Sequence, residues 1–154
     1  MKIIELYKKT SSRCQSTFGN LPSLFFRLIL AYGFYKPAMM KWGNINGIAE
    51  WFGSMGIPMP TLNAYLVAST EMAAVILLPL GLATRFISFP LIITMLVAIF
   101  TVHFSNGFEA GNNGFEIPFY YLLMLFALLI NGGGKISLDY LISKRFKKSL
   151  NPQR

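Results

Sequence analysis

Four long apolar stretches separated by short polar connections dominate the hydrophobic pattern of the chain. They cover residues 21–41, 62–84, 86–104 and 117–134. Each is close to the roughly 20 residues that an α-helix needs to cross the hydrocarbon core of a bilayer. The pattern therefore predicts an all-α protein, a transmembrane four-helix bundle. The alternative is a soluble bundle of buried helices.

The connection between the first two spans has a helical pattern of its own. It reads GNINGIAEWFGSMGIPMP and is too short of apolar residues to span a bilayer. Its apolar positions recur at helical spacing, at Ile48, Trp51, Phe52 and Met55. An asparagine can cap its start, and Gly56 and Pro58 are stop signals. We expect a short amphipathic helix on the periplasmic face, with Trp51 as an interfacial anchor.

Composition argues against the soluble alternative. Hydrophobic residues make up 54% of the 154 positions and charged residues 13%, whereas soluble domains carry about 25% charged residues. A soluble protein of this composition would lack the polar surface to cover itself. No spacer rich in Ser, Gly or Pro divides the chain, so one domain is expected.

The charge distribution predicts the orientation. The net charge is +8, and the basic residues concentrate in the tails 1–20 and 135–154 and at Arg85, between the second and third spans. The other two connections carry acidic residues, Glu50, Glu109 and Glu116. The positive-inside rule then places both termini in the cytoplasm. The segments are a basic tail (1–20), a four-span domain (21–134) and a basic C-terminal segment (135–154), whose charges suit anionic lipid rather than nucleic acid.

Glu71 is the one acidic residue within an apolar stretch. Counted from Leu62 at 1.5 Å per residue, its carboxylate lies on the order of 13 Å below the periplasmic surface. An ionised group at such a depth costs about 3 kcal/mol, so it usually faces the interior and has a partner. Arg27 and Lys41 share one interior stripe of the first span. Glu71 is thus either half of a structural ion pair or a group that handles protons or a ligand.

A compact polar loop joins the third and fourth spans. It contains Asn106 and is bounded by His103, the only histidine, and by Glu116, whose carboxylate suits a helix N-terminus. These residues lie at the depth at which Lys41 ends the first span. The sequence therefore predicts a polar pocket at the periplasmic mouth with Glu71 as its floor, and Arg27 is a further candidate binding residue. A lone histidine can instead be a hydrogen-bonded structural residue, and that alternative stays open.

Metal binding and catalysis have weaker support. Several methionines lie near the periplasmic side, Met39, Met40, Met55 and Met59. Their thioethers could attract copper(I), but no paired Cys or His ligands accompany them, and Cys14 is the only cysteine. The sequence has no catalytic triad, haem-attachment motif or dinucleotide fingerprint, so it leaves open whether the protein is an enzyme.

Several motifs together resemble the DoxX family of small four-helix membrane proteins. Arg27, Gly33 and Lys41 are followed in order by GIPMP, by Glu71 with LLPLGLATR, and by TVHFSNGF and NNGFEIP. The most specific parts are His-x-x-Asn-Gly at 103–107 and Gly-Phe-Glu-x-Pro at 114–118. The resemblance runs from about Leu24 to Asp139. The chain departs from it at Lys36-Pro37, where members often have His-Gly.

The resemblance implies a multi-pass protein of the bacterial inner membrane with a link to redox chemistry. The family is named for a subunit associated with quinone-dependent thiosulfate oxidation, and some members look like partners of oxidative-stress or copper-handling systems. Together with the predicted pocket, it favours an accessory redox subunit that binds a quinone-like headgroup or a protein partner. A homo-oligomer is a further expectation. Two alternatives remain, export or transport of a small solute, metal or modified peptide, and a structural membrane scaffold.

Overall fold

The computed structural model describes residues 19–150 and the single position Ile4, with side chains described as far as residue 146. Within this part of the chain there are six α-helices and no strand, so the all-α prediction is confirmed. The helices are α1 (Leu21–Gly43), α2 (Ile45–Ser54), α3 (Pro60–Leu80), α4 (Thr84–Ala98), α5 (Glu116–Asn131) and α6 (Leu138–Leu150). Most of the predicted basic tail over 1–20, Cys14 included, lies outside the described residues.

Four of these helices form a bundle around one apolar core. Helix α1 packs on α3, α3 on α4, α4 on α5, and α5 closes the ring against α1. Each helix contributes fully buried leucines or phenylalanines to the core, among them Leu30, Phe34, Leu78, Leu91, Leu125 and Leu128. The predicted interior stripe of α1 is also found, because Ala31 and Ala38 are buried while Lys36 is exposed.

Among the described residues, two helical stretches are long and apolar enough to cross a bilayer. They are Pro60–Leu80, with a mean hydropathy of 1.5, and Thr84–Asn106, with 2.2. Helix α5 is equally apolar but is shorter, with 16 residues. Helix α1 is long enough, with 23 residues, but three cations interrupt its apolar sequence. Large apolar side chains point outward around the bundle, including Tyr32 and Phe86, which are 85% and 79% exposed. Such an outer surface suits a hydrocarbon environment.

The connections fall into two groups at opposite ends of the bundle. At one end, which we call the basic end, Ser23 Oγ donates to the carbonyl of Gly132 at 2.7 Å and the Lys135 amide donates to Asn20 Oδ1 at 3.0 Å. The turn between α3 and α4 lies at the same end, since the Ala83 amide donates to Asp139. The opposite end, the cavity end, carries α2 and the loop between α4 and α5. This grouping is the one that the charge pattern predicts.

Helix α2 confirms the short helix predicted between the first two spans. Asn44 caps its start by accepting a hydrogen bond from the Gly47 amide at 3.2 Å. Ala49 and Phe52 are buried against Ala64 of α3. Helix α2 therefore lies over the first turns of α3 and forms part of the wall of the cavity end.

Candidate functional site

A buried ion pair joins α1 to α3. Lys41 Nζ lies 2.9 Å from Glu71 Oε1 and 2.8 Å from Oε2, so the ammonium bonds both carboxylate oxygens. The Glu71 side chain is 3% exposed and that of Lys41 14%. Of the two cations that the sequence offers as partners of Glu71, the structure selects Lys41. The pair satisfies both charges at a depth where an isolated charge would be costly.

Small residues of α3 make this pairing possible. Ala64 and Ala68 share a face with Glu71 and are completely buried. Without larger side chains on this face, α1 can approach α3 closely. The indole nitrogen of Trp42 adds a hydrogen bond of 3.2 Å to the Ala68 carbonyl. The last turn of α1 is therefore fixed against the middle of α3.

The ion pair lines a cavity of about 680 Å³ that is formed by five helices. Most of its wall is apolar, with Phe34, Phe52, Ile57, Val67, Met95 and Ile117 among the lining residues. Polar groups are few and come from different helices, namely Lys41, Asn63, Glu71, Thr94, Thr101, His103 and Tyr121. A mostly apolar cavity with a few convergent polar groups is the usual form of a small-molecule site.

His103 reaches this cavity from an irregular turn at the end of α4. Residues Ile99–His103 form a π-helical turn, and a 3-10 turn, Phe104–Asn106, follows. Single π-helical turns are frequent at functional sites. His103 Nδ1 lies 2.8 Å from the carbonyl of Asn113. Because a carbonyl can only accept, Nδ1 carries the hydrogen, and in the neutral ring Nε2 is the acceptor.

Asn106 lies in the loop at the cavity end and Glu116 is the first residue of α5, and neither lines the cavity. Asn106 Nδ2 donates to the Asn113 carbonyl at 3.2 Å, the same carbonyl that His103 binds. Glu116 Oε2 accepts from the Ala110 amide at 3.0 Å, and its Oε1 accepts from the Tyr120 hydroxyl at 3.2 Å. Both residues thus hold the loop that places His103.

Arg27 lies at the basic end, away from the cavity. It is fully buried, and its guanidinium donates to the carbonyls of Leu78 at 3.1 Å and Pro79 at 3.2 Å and to that of Ile136. Its Nε has no partner among the described residues. Arg27 therefore ties α1 to the end of α3 and to the connection before α6.

Sequence reasoning missed several lining residues. Thr94 of α4 and Thr101 of the π-helical turn that continues it are seven positions apart, a helical spacing that could have identified them as one face. Tyr121 was not detectable in this way, because its position depends on a contact between helices. A Cβ atom added to Gly33 would lie 1.9 Å from the Tyr121 hydroxyl, so α5 packs directly against the backbone of α1 there.

Within the described residues, no group of three or more His, Cys, Asp or Glu side chains could hold a metal ion. Of the methionines considered for copper(I), only Met55 lines the cavity, together with Met95 of α4. Copper binding through thioethers stays a prediction.

Comparison with known proteins identifies the family. The DoxX family profile matches residues 23–104. Two Haemophilus influenzae proteins named "Uncharacterized protein" are 32% and 34% identical, over 79% and 80% of this chain and 83% and 90% of theirs. The Bacillus subtilis protein named "Putative oxidoreductase CatD" is 32% identical over 79% of this chain and 87% of its own. No solved structure matches the chain. The chain therefore belongs to the DoxX family of membrane proteins.

Proposed function

We propose that this membrane protein is an accessory subunit of a redox system and that its cavity binds the headgroup of a quinone-like molecule. The name of the Bacillus subtilis relative supports a link to oxidoreductase chemistry. The volume of about 680 Å³ lies within the range of about 300–1,000 Å³ that is usual for small-molecule sites. A quinone would supply the capacity to carry two electrons and two protons between protein partners.

The observation that carries the proposal is a charged pair set in an apolar cavity. The Lys41 ammonium has three hydrogens, and Glu71 takes two of them as hydrogen bonds. The third can donate to an oxygen of a bound headgroup. The apolar walls formed by residues such as Phe34 and Ile117 suit the ring and the start of an isoprenoid tail.

His103 gives the cavity a group of the opposite hydrogen-bonding character. Its Nδ1 is held by the Asn113 carbonyl, so its Nε2 can accept a hydrogen bond from a hydroxyl of a reduced headgroup. Donation by Lys41 and acceptance by His103 allow the same residues to hold the oxidised and the reduced form.

The proposed orientation follows from charge. The basic end and α6 carry the cations Arg85, Lys135, Lys144 and Arg145. The cavity end carries the carboxylates Glu50, Glu109 and Glu116. The positive-inside rule then puts the basic end in the cytoplasm and the cavity end on the outer side of the inner membrane. A redox partner would meet the protein in or above the membrane near the cavity end.

The test is quinone binding by the protein in lipid nanodiscs. Trp51 lines the cavity, so titration with decylubiquinone should quench tryptophan fluorescence in a saturable way. We expect Glu71→Gln to weaken binding at least tenfold, about 1.4 kcal/mol, and His103→Ala to weaken it as well. Glu50→Gln is the matched control, because Glu50 is an exposed carboxylate outside the cavity wall. Absence of saturable quenching, or equal affinity for Glu71→Gln and Glu50→Gln, would refute the proposal.

A further inference from the structure

A second recess opens at the basic end, far from the cavity described above. Its volume is about 590 Å³, and it lies between the α3–α4 turn, the connection 131–135 and the start of α6. The proposed quinone site does not involve it.

Cations outnumber carboxylates around this recess. Arg85 and Lys135 line it, and Arg27 is buried directly behind it, since a Cβ atom on Gly81 would meet both Arg27 Nη1 and Ser137. Among the residues that the structure describes, the one lining carboxylate is that of Asp139. These four residues leave a surplus of two positive charges.

Asp139 is already engaged with backbone groups. Its Oδ1 accepts from the Ala83 amide at 2.7 Å and its Oδ2 from the Thr84 amide at 2.9 Å. It caps the start of α4 in this way. The carboxylate therefore faces backbone amides instead of pairing with Arg85 or Lys135.

Arg85 is held in place over the recess. Its Nη2 donates to the Ile130 carbonyl at 2.9 Å, and a Cβ atom on Gly132 would lie 3.2 Å from its Nε. The absence of side chains at Gly132–Gly134 keeps the floor open beside the guanidinium. A guanidinium held in this way retains further N–H donors and suits a phosphate group.

Apolar surface adjoins these cations on the outside of the bundle. Phe86 lines the recess and is 79% exposed, and Ile130 and Ile136 are 70% and 52% exposed. Acyl chains could pack on these side chains while a headgroup occupies the recess. From this arrangement we infer that the recess binds the phosphate headgroup of an anionic phospholipid.

The experiment measures lipid retention by the purified full-length protein. Native mass spectrometry in detergent would follow binding of phosphatidylglycerol, with phosphatidylcholine and inorganic phosphate as separate arms. We expect at least fivefold weaker phosphatidylglycerol binding for Arg85→Gln and Lys135→Gln. Binding should be unchanged for Lys36→Gln, because Lys36 is an exposed cation of α1 that does not line the recess. Lys135→Gln is the decisive variant if Arg85→Gln fails to fold, because the Lys135 side chain makes no hydrogen bond to the described residues.

Three results would overturn the inference. They are equal binding of phosphatidylglycerol and phosphatidylcholine, equal effects of Lys135→Gln and Lys36→Gln, and displacement of the lipid by inorganic phosphate at millimolar concentration. The last result would assign the recess to a free anion. None of these outcomes depends on quinone binding at the cavity end.

Discussion

At the scale of single residues, the ion pair of Lys41 and Glu71 accommodates charge at the cavity side of the bundle interior. Both side chains are largely buried and each satisfies the other. Removing one partner of such a pair leaves a buried charge without compensation. The energetic cost of a single substitution is therefore dominated by the charge that remains.

The buried pair predicts a non-additive double-mutant cycle. Lys41→Met and Glu71→Gln should each lower the free energy of unfolding by about 3 kcal/mol. The double variant should lose clearly less than the sum, because no lone charge remains. Steric-trapping measurements of unfolding in bicelles would give the three values. Lys36→Met, which removes an exposed cation from the same helix, should be nearly neutral, and additive losses in the cycle would contradict the ion-pair account.

At the scale of helices, glycines fix where a helix ends and how closely neighbouring segments approach each other. Gly81 ends α3 in the left-handed region, with φ of +65°. Its α-hydrogens face Arg27 and Ser137, the residue just before α6. The end of α3, Arg27 and the start of α6 therefore meet at a point where no side chain fits.

Gly81→Ala should be much more destabilising than Gly56→Ala. Both glycines have a positive φ, +65° and +74°, so both variants bear the strain of about 1 kcal/mol that alanine meets there. Only at Gly81 would the new Cβ atom collide with neighbours, 2.5 Å from Ser137 Cβ and 2.9 Å from its Cα. Thermal unfolding in detergent should show a markedly larger loss for Gly81→Ala. Equal losses would mean that α6 does not dock as described.

At the scale of the whole molecule, the two ends of the bundle should lie on opposite sides of the membrane. Single cysteines in a Cys14→Ser background test this, at Ser105 in the loop of the cavity end and at Lys144 on α6. Both positions are exposed. In right-side-out vesicles, a membrane-impermeant maleimide should label Ser105→Cys at once and Lys144→Cys only after detergent is added. Labelling of both positions without detergent would contradict the proposed topology.

Hydrophobic periodicity was enough to predict most of the fold. It located the four apolar helices and α2, because burial against neighbours follows the helical repeat directly. The turn at Gly81 shortened the second predicted span, which ends at Leu80 instead of residue 84. The basic C-terminal segment forms α6. Its docking through Asp139 had no sequence signal, since an acidic residue in a basic segment does not indicate which amides it will cap.

The candidate site was predictable only in part. A lone glutamate among apolar residues pointed to a buried partner, and the structure supplies Lys41. The position of His103 on the cavity wall depends on the π-helical turn. Asn106 and Glu116 bind loop backbone groups. Residue spacing predicts neither the position of His103 nor these loop contacts, because both depend on how the loop folds back onto itself.

The pairing of Lys41 with Glu71 also bears on how the cavity would respond to an energised membrane. One ammonium and one carboxylate at hydrogen-bond distance form a dipole without net charge. An electric field across the bilayer does work of about 2.3 kcal/mol per elementary charge for each 100 mV. An uncharged guest that enters or leaves this chamber moves no net charge through that field. Its occupancy would therefore be set by the guest's concentration in the lipid phase rather than by the transmembrane voltage.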